Sequence, residues 1–198
     1  MAISAEMVKK LRQQTGAGIM DCKKALAECD SDFEKAIDFL RKKGIATAAK
    51  RAGRETSQGT IQSYIHMTGK IGTMVEVNCE TDFVAKNEEF MTFARDLAMH
   101  IAATDPVAIA QEDVQQDVID REMAIYRDQA KQTGKPDNIL DKIATGKMQK
   151  FFKENCLMNQ PFVKDTDKTI SDLLNEMVGK TGEKIIINRI ARFQLGAS

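Results

Sequence analysis

Residues 71–94 read IGTMVEVNCETDFVAKNEEFMTFA, and the hydrophobic period changes in the middle of this stretch. From 71 to 80 apolar and polar residues alternate, which predicts a strand with one buried face. From Phe90 onward apolar residues recur every three or four positions, which predicts a helix. The segment 81–87 therefore has to form a tight corner between a strand and a helix.

The sequence on both sides of this stretch also predicts a mixture of strands and helices. Residues 60–67 pair with 71–80 in a predicted hairpin that turns near Thr68-Gly69. Further helices are predicted over 113–132, over 138–157 as a pair, and from Ile170 until Gly179 and Gly182 break the last one. A final strand is predicted over 183–195. This order predicts the α+β class, with a small antiparallel sheet packed by helices.

The first 43 residues have a different pattern, that of three short helices. Ser4 is placed to cap the first, a Ser31–Glu34 capping box starts the third, and Gly44 ends it. A polar stretch over 50–58 is predicted to be a linker. The sequence thus predicts two domains, a three-helix module with its linker over 1–54 and an α+β core over 55–198.

The charge of the chain is balanced overall but not locally. The 198 residues include 29 Lys and Arg against 29 Asp and Glu. Residues 1–54 hold 12 basic against 7 acidic residues, a net charge of +5, and 76–122 hold 3 against 12, a net charge of −9. The asymmetry favours electrostatic steering of a partner, and ordinary solvated helix faces explain it equally well.

Two glycine motifs resemble phosphate-binding loops and fail on context. Gly16-Ala17-Gly18 follows a helix instead of a strand and has Asp21 at the third glycine position. Gly179-Lys180-Thr181 stands between a helix and a strand in the reverse of the required order. Neither motif predicts a nucleotide site, and no cofactor is expected.

Catalytic and metal-binding residues are also not predicted. Cys22, Cys29, Cys79 and Cys156 form no C-x-x-C pair, and neither His66 nor His100 is spaced with them as a zinc ligand. Both histidines are interpreted as surface or boundary residues. No apolar run approaches the length of a membrane span, and the start lacks a signal-peptide pattern. A cytoplasmic protein with reduced thiols and no enzymatic activity is expected.

The corner at 81–87 is the most informative segment for function. Thr81 or Asp82 is placed to cap a short helical turn, and Asn87 to cap the helix behind it. Phe83 lies outside the apolar spacing of that helix, which leaves two interpretations. It is either a wedge presented to an apolar slot of a partner or a side chain folded back into the core, and spacing alone favours the core.

Three separate stretches resemble the translation elongation factor Ts family. They are TGAGIMDCKKAL at 15–26, TDFVAKN at 81–87, and the region from Pro136 to Ile185 together with RFQLG at 192–196. The resemblance extends over nearly the whole chain. It implies an N-terminal module of the ubiquitin-associated type followed by an α+β core.

The resemblance also implies a function. Family members promote GDP release from elongation factor Tu, the GTPase that carries aminoacyl-tRNA, without covalent chemistry. Asp82 and Phe83 would then disturb the magnesium and phosphate site of that partner, with Thr81 and Val84 completing the segment. Met20 and Lys23 of the basic module would dock on its nucleotide-binding domain. A rival class, a nucleic-acid or ribosome-binding module, is disfavoured by the acidic middle, by an aromatic content of 6% and by the absence of Trp.

A homodimer is expected from what the resemblance leaves out. Long members of the family carry two core halves, whereas this chain has one, and a second copy would replace the missing half. The last strand is apolar on both faces, with Ile185 and Ile187 on one and Ile186 and Ile190 on the other. We therefore place the expected interface near this strand.

Overall fold

The computed structural model describes residues 3–132 and 136–197, without the side chains of 137 and 138. The chain divides into two compact units. The first combines Met1–Gln62, Val75–Asp96 and Ser171–Asn188, and the second combines Ser63–Met74, Leu97–Ile170 and Arg189–Ser198. The predicted boundary after residue 54 is not tested by this division and stays a prediction.

Helices dominate the described residues, and the α+β class is confirmed. The helices are α1 (Ala5–Thr15), α2 (Ile19–Glu28), α3 (Phe33–Arg51), α4 (Asp82–Ala85), α5 (Glu88–Thr104), α6 (Gln116–Lys131), α7 (Asp137–Asn155) and α8 (Ile170–Thr181). The strands are β1 (Gln58–Ile65), β2 (Ile71–Cys79), β3 (Pro161–Phe162), β4 (Asp165–Thr169) and β5 (Ile186–Gln194). Short 3-10 turns lie at Gln111–Asp113 and Leu157–Asn159.

The three N-terminal helices pack around one apolar cluster, as short helices must to persist. Leu11 of α1 and Leu26 of α2 are fully buried in it. The Ser4 side chain caps α1 by accepting a hydrogen bond from the Met7 N–H at 3.2 Å. Ile19, at the start of α2, is 55% exposed and lies outside this cluster.

The predicted end of the third helix at Gly44 is wrong, since α3 continues to Arg51. Gly44 is buried, and a Cβ atom added there would lie 2.9 Å from the carbonyl oxygen of Asn175 in α8. That distance is too short for any side chain. The glycine therefore allows the backbones of two helices to approach within one unit, and it does not terminate either of them.

The main sheet has three antiparallel strands in the order β1-β2-β5. Gly69 makes the predicted turn between β1 and β2 with a φ of +69°, a value that favours glycine. The predicted alternation of β2 is confirmed: Thr73, Val75, Val77 and Cys79 are buried. In the second unit the Thr73 hydroxyl donates to the Ala98 carbonyl of α5 at 2.7 Å, which fastens the strand to the helix.

Helices α6 and α7 pack against each other in the second unit. The predicted pair of helices over 138–157 is one continuous helix followed by a 3-10 turn. Its last turn contributes Phe151 and Phe152 to a small cluster around Cys156.

His100 is fully buried in the second unit, so the prediction of a surface or boundary position is wrong for it. Its Nε2 lies 2.9 Å from Oε1 of Gln160, and its Nδ1 accepts a hydrogen bond from the Val163 N–H at 3.4 Å. Burial lowers the pKa of His100 below its usual value, and the hydrogen bond to Gln160 opposes this shift. The residue therefore joins α5 to the start of the β3–β4 hairpin as a neutral imidazole.

The last helix and the last strand were predicted from the sequence, whereas the β3–β4 hairpin before them was not. The predicted break at Gly179 is wrong, because helix α8 runs past it to Thr181. The break predicted at Gly182 is confirmed: this glycine adopts a φ of +68°, and its N–H donates to the Val178 carbonyl at 2.9 Å. The strand predicted over 183–195 is β5 (Ile186–Gln194), and it begins three residues later than predicted. Ile187 in this strand and Ile185 just before it are both buried.

Candidate partner-binding site

The predicted corner is a single turn of helix between β2 and α5. Thr81 caps α4, because its hydroxyl accepts a hydrogen bond from the Val84 N–H at 3.4 Å. Asn87 caps the following helix with its Oδ1, which accepts from the N–H groups of Glu89 at 2.8 Å and Phe90 at 3.3 Å. The Asn87 cap was predicted from the sequence, and Thr81 was one of the two candidates for the first cap, with Asp82 as the other. Together the two caps fix where the strand ends and the long helix begins.

Asp82 and Phe83 project from this turn into solvent. The Phe83 side chain is 83% exposed, whereas Phe90, seven residues later, is fully buried. The interpretation that Phe83 folds back into the core is therefore wrong. Asp82 is also exposed, and Lys86 bonds its carboxylate at 2.8 Å and thereby lowers its pKa, so that the carboxylate is ionised at neutral pH.

Glu183 holds the corner from the other side. Its Oε2 accepts hydrogen bonds from the backbone N–H groups of Glu80 at 3.1 Å and Thr81 at 3.0 Å. Its Oε1 accepts from the Thr81 hydroxyl at 2.6 Å. One carboxylate thus binds three donors of two consecutive residues, all within the first compact unit.

The carboxylate of Glu80 accepts three further hydrogen bonds at the corner. Oε1 accepts from the Lys184 N–H at 2.6 Å and from Arg51 at 2.9 Å, and Oε2 accepts from Arg54 at 2.9 Å. The Lys184 N–H, followed by the guanidinium groups of Arg54 and Arg51, lowers the pKa of Glu80 to about 2. The residue is therefore ionised at any physiological pH.

Cys79 completes the anchoring of the corner. Its Sγ–H donates to the Thr81 carbonyl at 3.2 Å. Burial, with a smaller effect from the charge of Glu183, raises the pKa of the thiol to about 11. The thiol is therefore protonated and remains a donor at neutral pH.

Met20 and Lys23 lie together on the exposed side of α2, and the Met20 side chain is 73% exposed. Lys23 borders a groove of about 360 Å³ between α1 and α2, whose other lining residues are Ile3, Ala5, Val8, Lys9, Arg12 and Ile19. The groove therefore has an apolar floor and a basic rim. The six predicted site residues thus fall into two groups, the corner 81–84 and the exposed side of α2.

Sequence reasoning did not predict the residues that hold the corner. Glu80 and Glu183 lie 103 residues apart, and nothing in the local pattern pairs them. The one usable signal is that Glu80 and Glu183 are carboxylates at the end of one strand and just before another, where backbone N–H groups lack partners.

Two negative findings apply to the described residues alone. Within 3–132 and 136–197 no three His, Cys, Asp or Glu side chains cluster in a way that could hold a metal ion. None of the helices described in these ranges combines the length and hydropathy needed to cross a membrane.

Comparison with known proteins identifies the family. A family model described as Elongation factor TS matches residues 5–197. The chain belongs to this family. Elongation factor Ts from Desulfosudis oleivorans is 62% identical to it over 98% of both chains, and that from Desulfotalea psychrophila is 61% identical over 100% of both. Elongation factor Ts from Syntrophobacter fumaroxidans is 57% identical over 100% of this chain and 98% of its own.

The similarity to elongation factor Ts extends over the full described chain, including both the exposed side of α2 and the corner. The predicted resemblance is confirmed. Membership makes the chain a translation elongation factor.

Proposed function

We propose that this chain is the guanine nucleotide exchange factor of elongation factor Tu. It binds the GDP-bound GTPase, promotes release of GDP and leaves the site free for GTP. The observation that carries the proposal is Phe83, an exposed aromatic side chain beside the ionised Asp82 on a capped and clamped turn. A rigid aromatic anchor of this kind is typical of residues that dominate a protein interface.

The chemistry of the turn suits a GTPase partner. A GTPase holds GDP through magnesium, backbone N–H groups and a phosphate loop. Phe83 entering an apolar slot next to that site would displace its backbone, and the Asp82 carboxylate would repel phosphate and attract the metal. Thr81 and Val84 complete the segment by fixing the turn. No bond is made or broken, so the protein acts without being an enzyme.

Binding of the factor and binding of GDP to the GTPase are thermodynamically linked. A protein that binds the distorted nucleotide site more tightly weakens GDP binding, and GDP weakens binding of the factor by the same amount. Burying one Phe side chain contributes about 1.5–3 kcal/mol, which corresponds to roughly a ten- to hundredfold change. A large stimulation therefore needs additional contact surfaces.

The exposed side of α2 is the proposed second surface. Met20 offers an unbranched apolar side chain, and Lys23 belongs to the basic rim of the neighbouring groove. With a net charge of +5 over residues 1–54, this surface would attract an acidic face of the partner's nucleotide-binding domain. We also propose that the chain makes no direct contact with nucleic acid. A measurement of RNA binding over a salt titration tests this statement.

A homodimer is proposed from an apolar surface on the main sheet. In the second unit four large apolar side chains are exposed and line a groove of about 450 Å³: Ile65, Met74, Phe193 and Leu195. These side chains lie on β1, on β2, on β5 and just after β5. An exposed apolar surface of this kind marks an interaction site, and a second copy related by a two-fold axis would cover it. As a translation factor, the dimer would act in the cytoplasm.

Release of fluorescent GDP from purified elongation factor Tu tests the proposal. Adding the chain should accelerate release in proportion to its concentration until the partner is saturated. A rate that is unchanged at saturating chain would refute the exchange function. Asp82→Ala should lower the maximal rate with little loss of binding, and Val107→Ala, which truncates an exposed apolar residue of the second unit, serves as the control.

A further inference from the structure

We propose that Glu183 is a positioning residue for the turn that carries Asp82 and Phe83. Its carboxylate orients the Thr81 hydroxyl, and the hydroxyl in turn fixes the direction in which Phe83 projects. This inference rests on the proposed exchange function. It adds a residue that lies outside the exposed turn and acts through another side chain.

The first step concerns the backbone where β2 ends. The strand stops at Cys79, so the N–H groups of Glu80 and Thr81 lie beyond its ladder of hydrogen bonds. Both donate to the same oxygen of Glu183, at 3.1 and 3.0 Å. Bonds to an ionised acceptor are stronger than bonds between neutral groups, and they hold the path of the chain into the turn.

The second step concerns the polarity of the Thr81 hydroxyl. A hydroxyl has one hydrogen, and a carboxylate can only accept, so the 2.6 Å contact with Glu183 must use that hydrogen. The oxygen of Thr81 is then left with lone pairs alone for the Val84 N–H, the bond that closes the turn around Phe83. Glu183 therefore determines the orientation that makes Thr81 a helix cap.

The third step concerns rigidity. The carboxylate of Glu80 accepts the Lys184 N–H while the N–H of Glu80 donates to Glu183, so the two segments are bonded in both directions. Phe83 gains little from packing, because most of its surface is exposed. Its position is consequently set by these polar bonds and not by the apolar core.

Glu183→Gln isolates the role of the carboxylate. The amide keeps the size of the side chain but replaces one acceptor by an –NH₂ donor. That donor faces either the two backbone N–H groups or the Thr81 hydroxyl, so at least one part of the arrangement is lost. Thr81→Val removes the hydroxyl and leaves the backbone donors of residues 80 and 81 in place.

The test measures the rate of GDP release from elongation factor Tu over a range of chain concentrations. For Glu183→Gln we expect a maximal rate at least about tenfold lower, the loss expected for a charge-assisted bond. The half-saturating concentration should change less than about threefold, since the exposed side of α2 is untouched. Glu112→Gln, an exposed carboxylate of the second unit, makes the same charge change and should behave as the unaltered chain.

A double-mutant cycle separates positioning from a general structural role. If Glu183 acts through Thr81, the combined variant should release GDP no more slowly than the poorer single variant, whereas independent effects multiply. An unchanged maximal rate for Glu183→Gln, a loss confined to binding, or multiplying effects would each overturn the proposal. If Glu183→Gln fails to fold, Thr81→Val and Thr81→Ser decide, because only the serine keeps the bridging hydroxyl and only it should retain the rate. Failure of the proposed function is distinct, since the unaltered chain would then not stimulate release.

Discussion

Phe83→Ala should separate the stability of the chain from its activity. The side chain is 83% exposed, so folding buries about a sixth of it. Full burial of a Phe side chain contributes about 1.5–3 kcal/mol, and the folded chain therefore owes Phe83 only about 0.3–0.5 kcal/mol. The exposed remainder, worth about 1.2–2.5 kcal/mol, becomes available when a partner covers it.

These magnitudes give two measurable outcomes for Phe83→Ala. The midpoint of thermal unfolding, followed by circular dichroism, should fall by less than about 2 °C. Stimulated GDP release, followed by stopped-flow fluorescence, should slow by about 8- to 70-fold, because each 1.36 kcal/mol corresponds to a factor of ten.

Phe90→Ala provides the matched control, since the same truncation is made seven residues later at a fully buried position. It should cost about 3–5 kcal/mol of unfolding free energy, and lower the midpoint by roughly 6–20 °C. The reasoning is refuted if Phe83→Ala destabilises the chain as much as Phe90→Ala does. It is equally refuted if Phe83→Ala leaves the rate of release unchanged.

Three further predictions concern other parts of the molecule. The lowered pKa of buried His100 means that the unfolded chain takes up a proton first, so stability should fall as the pH drops from about 6.5 toward the folded pKa. Urea unfolding at pH 7.5 and 5.5 should show this loss in the unaltered chain and in His66→Gln, where the replaced residue is exposed, but not in His100→Gln. Gly44→Ala should destabilise the chain by about 1–3 kcal/mol, because the added Cβ would lie 2.9 Å from a backbone oxygen. Gly146→Ala, at a position in α7 with open space around it, should stabilise the chain by about 0.5–1 kcal/mol. The midpoint of denaturant unfolding measures both changes. Light scattering at micromolar concentration should give twice 22.0 kDa, and Phe193→Glu should shift the mass toward the monomer; a single-chain mass across all dilutions would contradict the dimer.

The local sequence pattern was sufficient to predict elements in which buried residues recur at a regular spacing. The alternation in β2 and the turn at Gly69 were predicted because a strand with one buried face and a glycine at positive φ are both properties of neighbouring residues. The continuation of α3 beyond Gly44 was missed, because the glycine serves a contact with Asn175, more than a hundred positions later. The two-residue strand β3 is too short to carry a period at all.

In the candidate site, too, features set by neighbouring residues were predicted, and features set by distant residues were not. The caps at Thr81 and Asn87 are encoded within a few residues, so the corner could be placed from the sequence. The exposure of Phe83 could not, because spacing shows only that the residue lies outside the helical stripe. Burial of His100 was missed for a related reason, since its hydrogen-bond partner Gln160 is 60 residues away and makes an interior position tolerable.

The separation between Thr81 and Glu183 has a consequence for the synthesis of the protein itself. The two residues are 102 positions apart, and ribosomes add about 5–20 residues per second. After residue 81 has been added, about 5–20 s therefore pass before Glu183 is translated. During that interval the backbone N–H groups of Glu80 and Thr81 lack the carboxylate that accepts their hydrogen bonds in the folded chain. The turn that carries Phe83 therefore gains its full set of hydrogen bonds only late in translation, and a chain truncated before residue 183 would present this turn without the three bonds to Glu183.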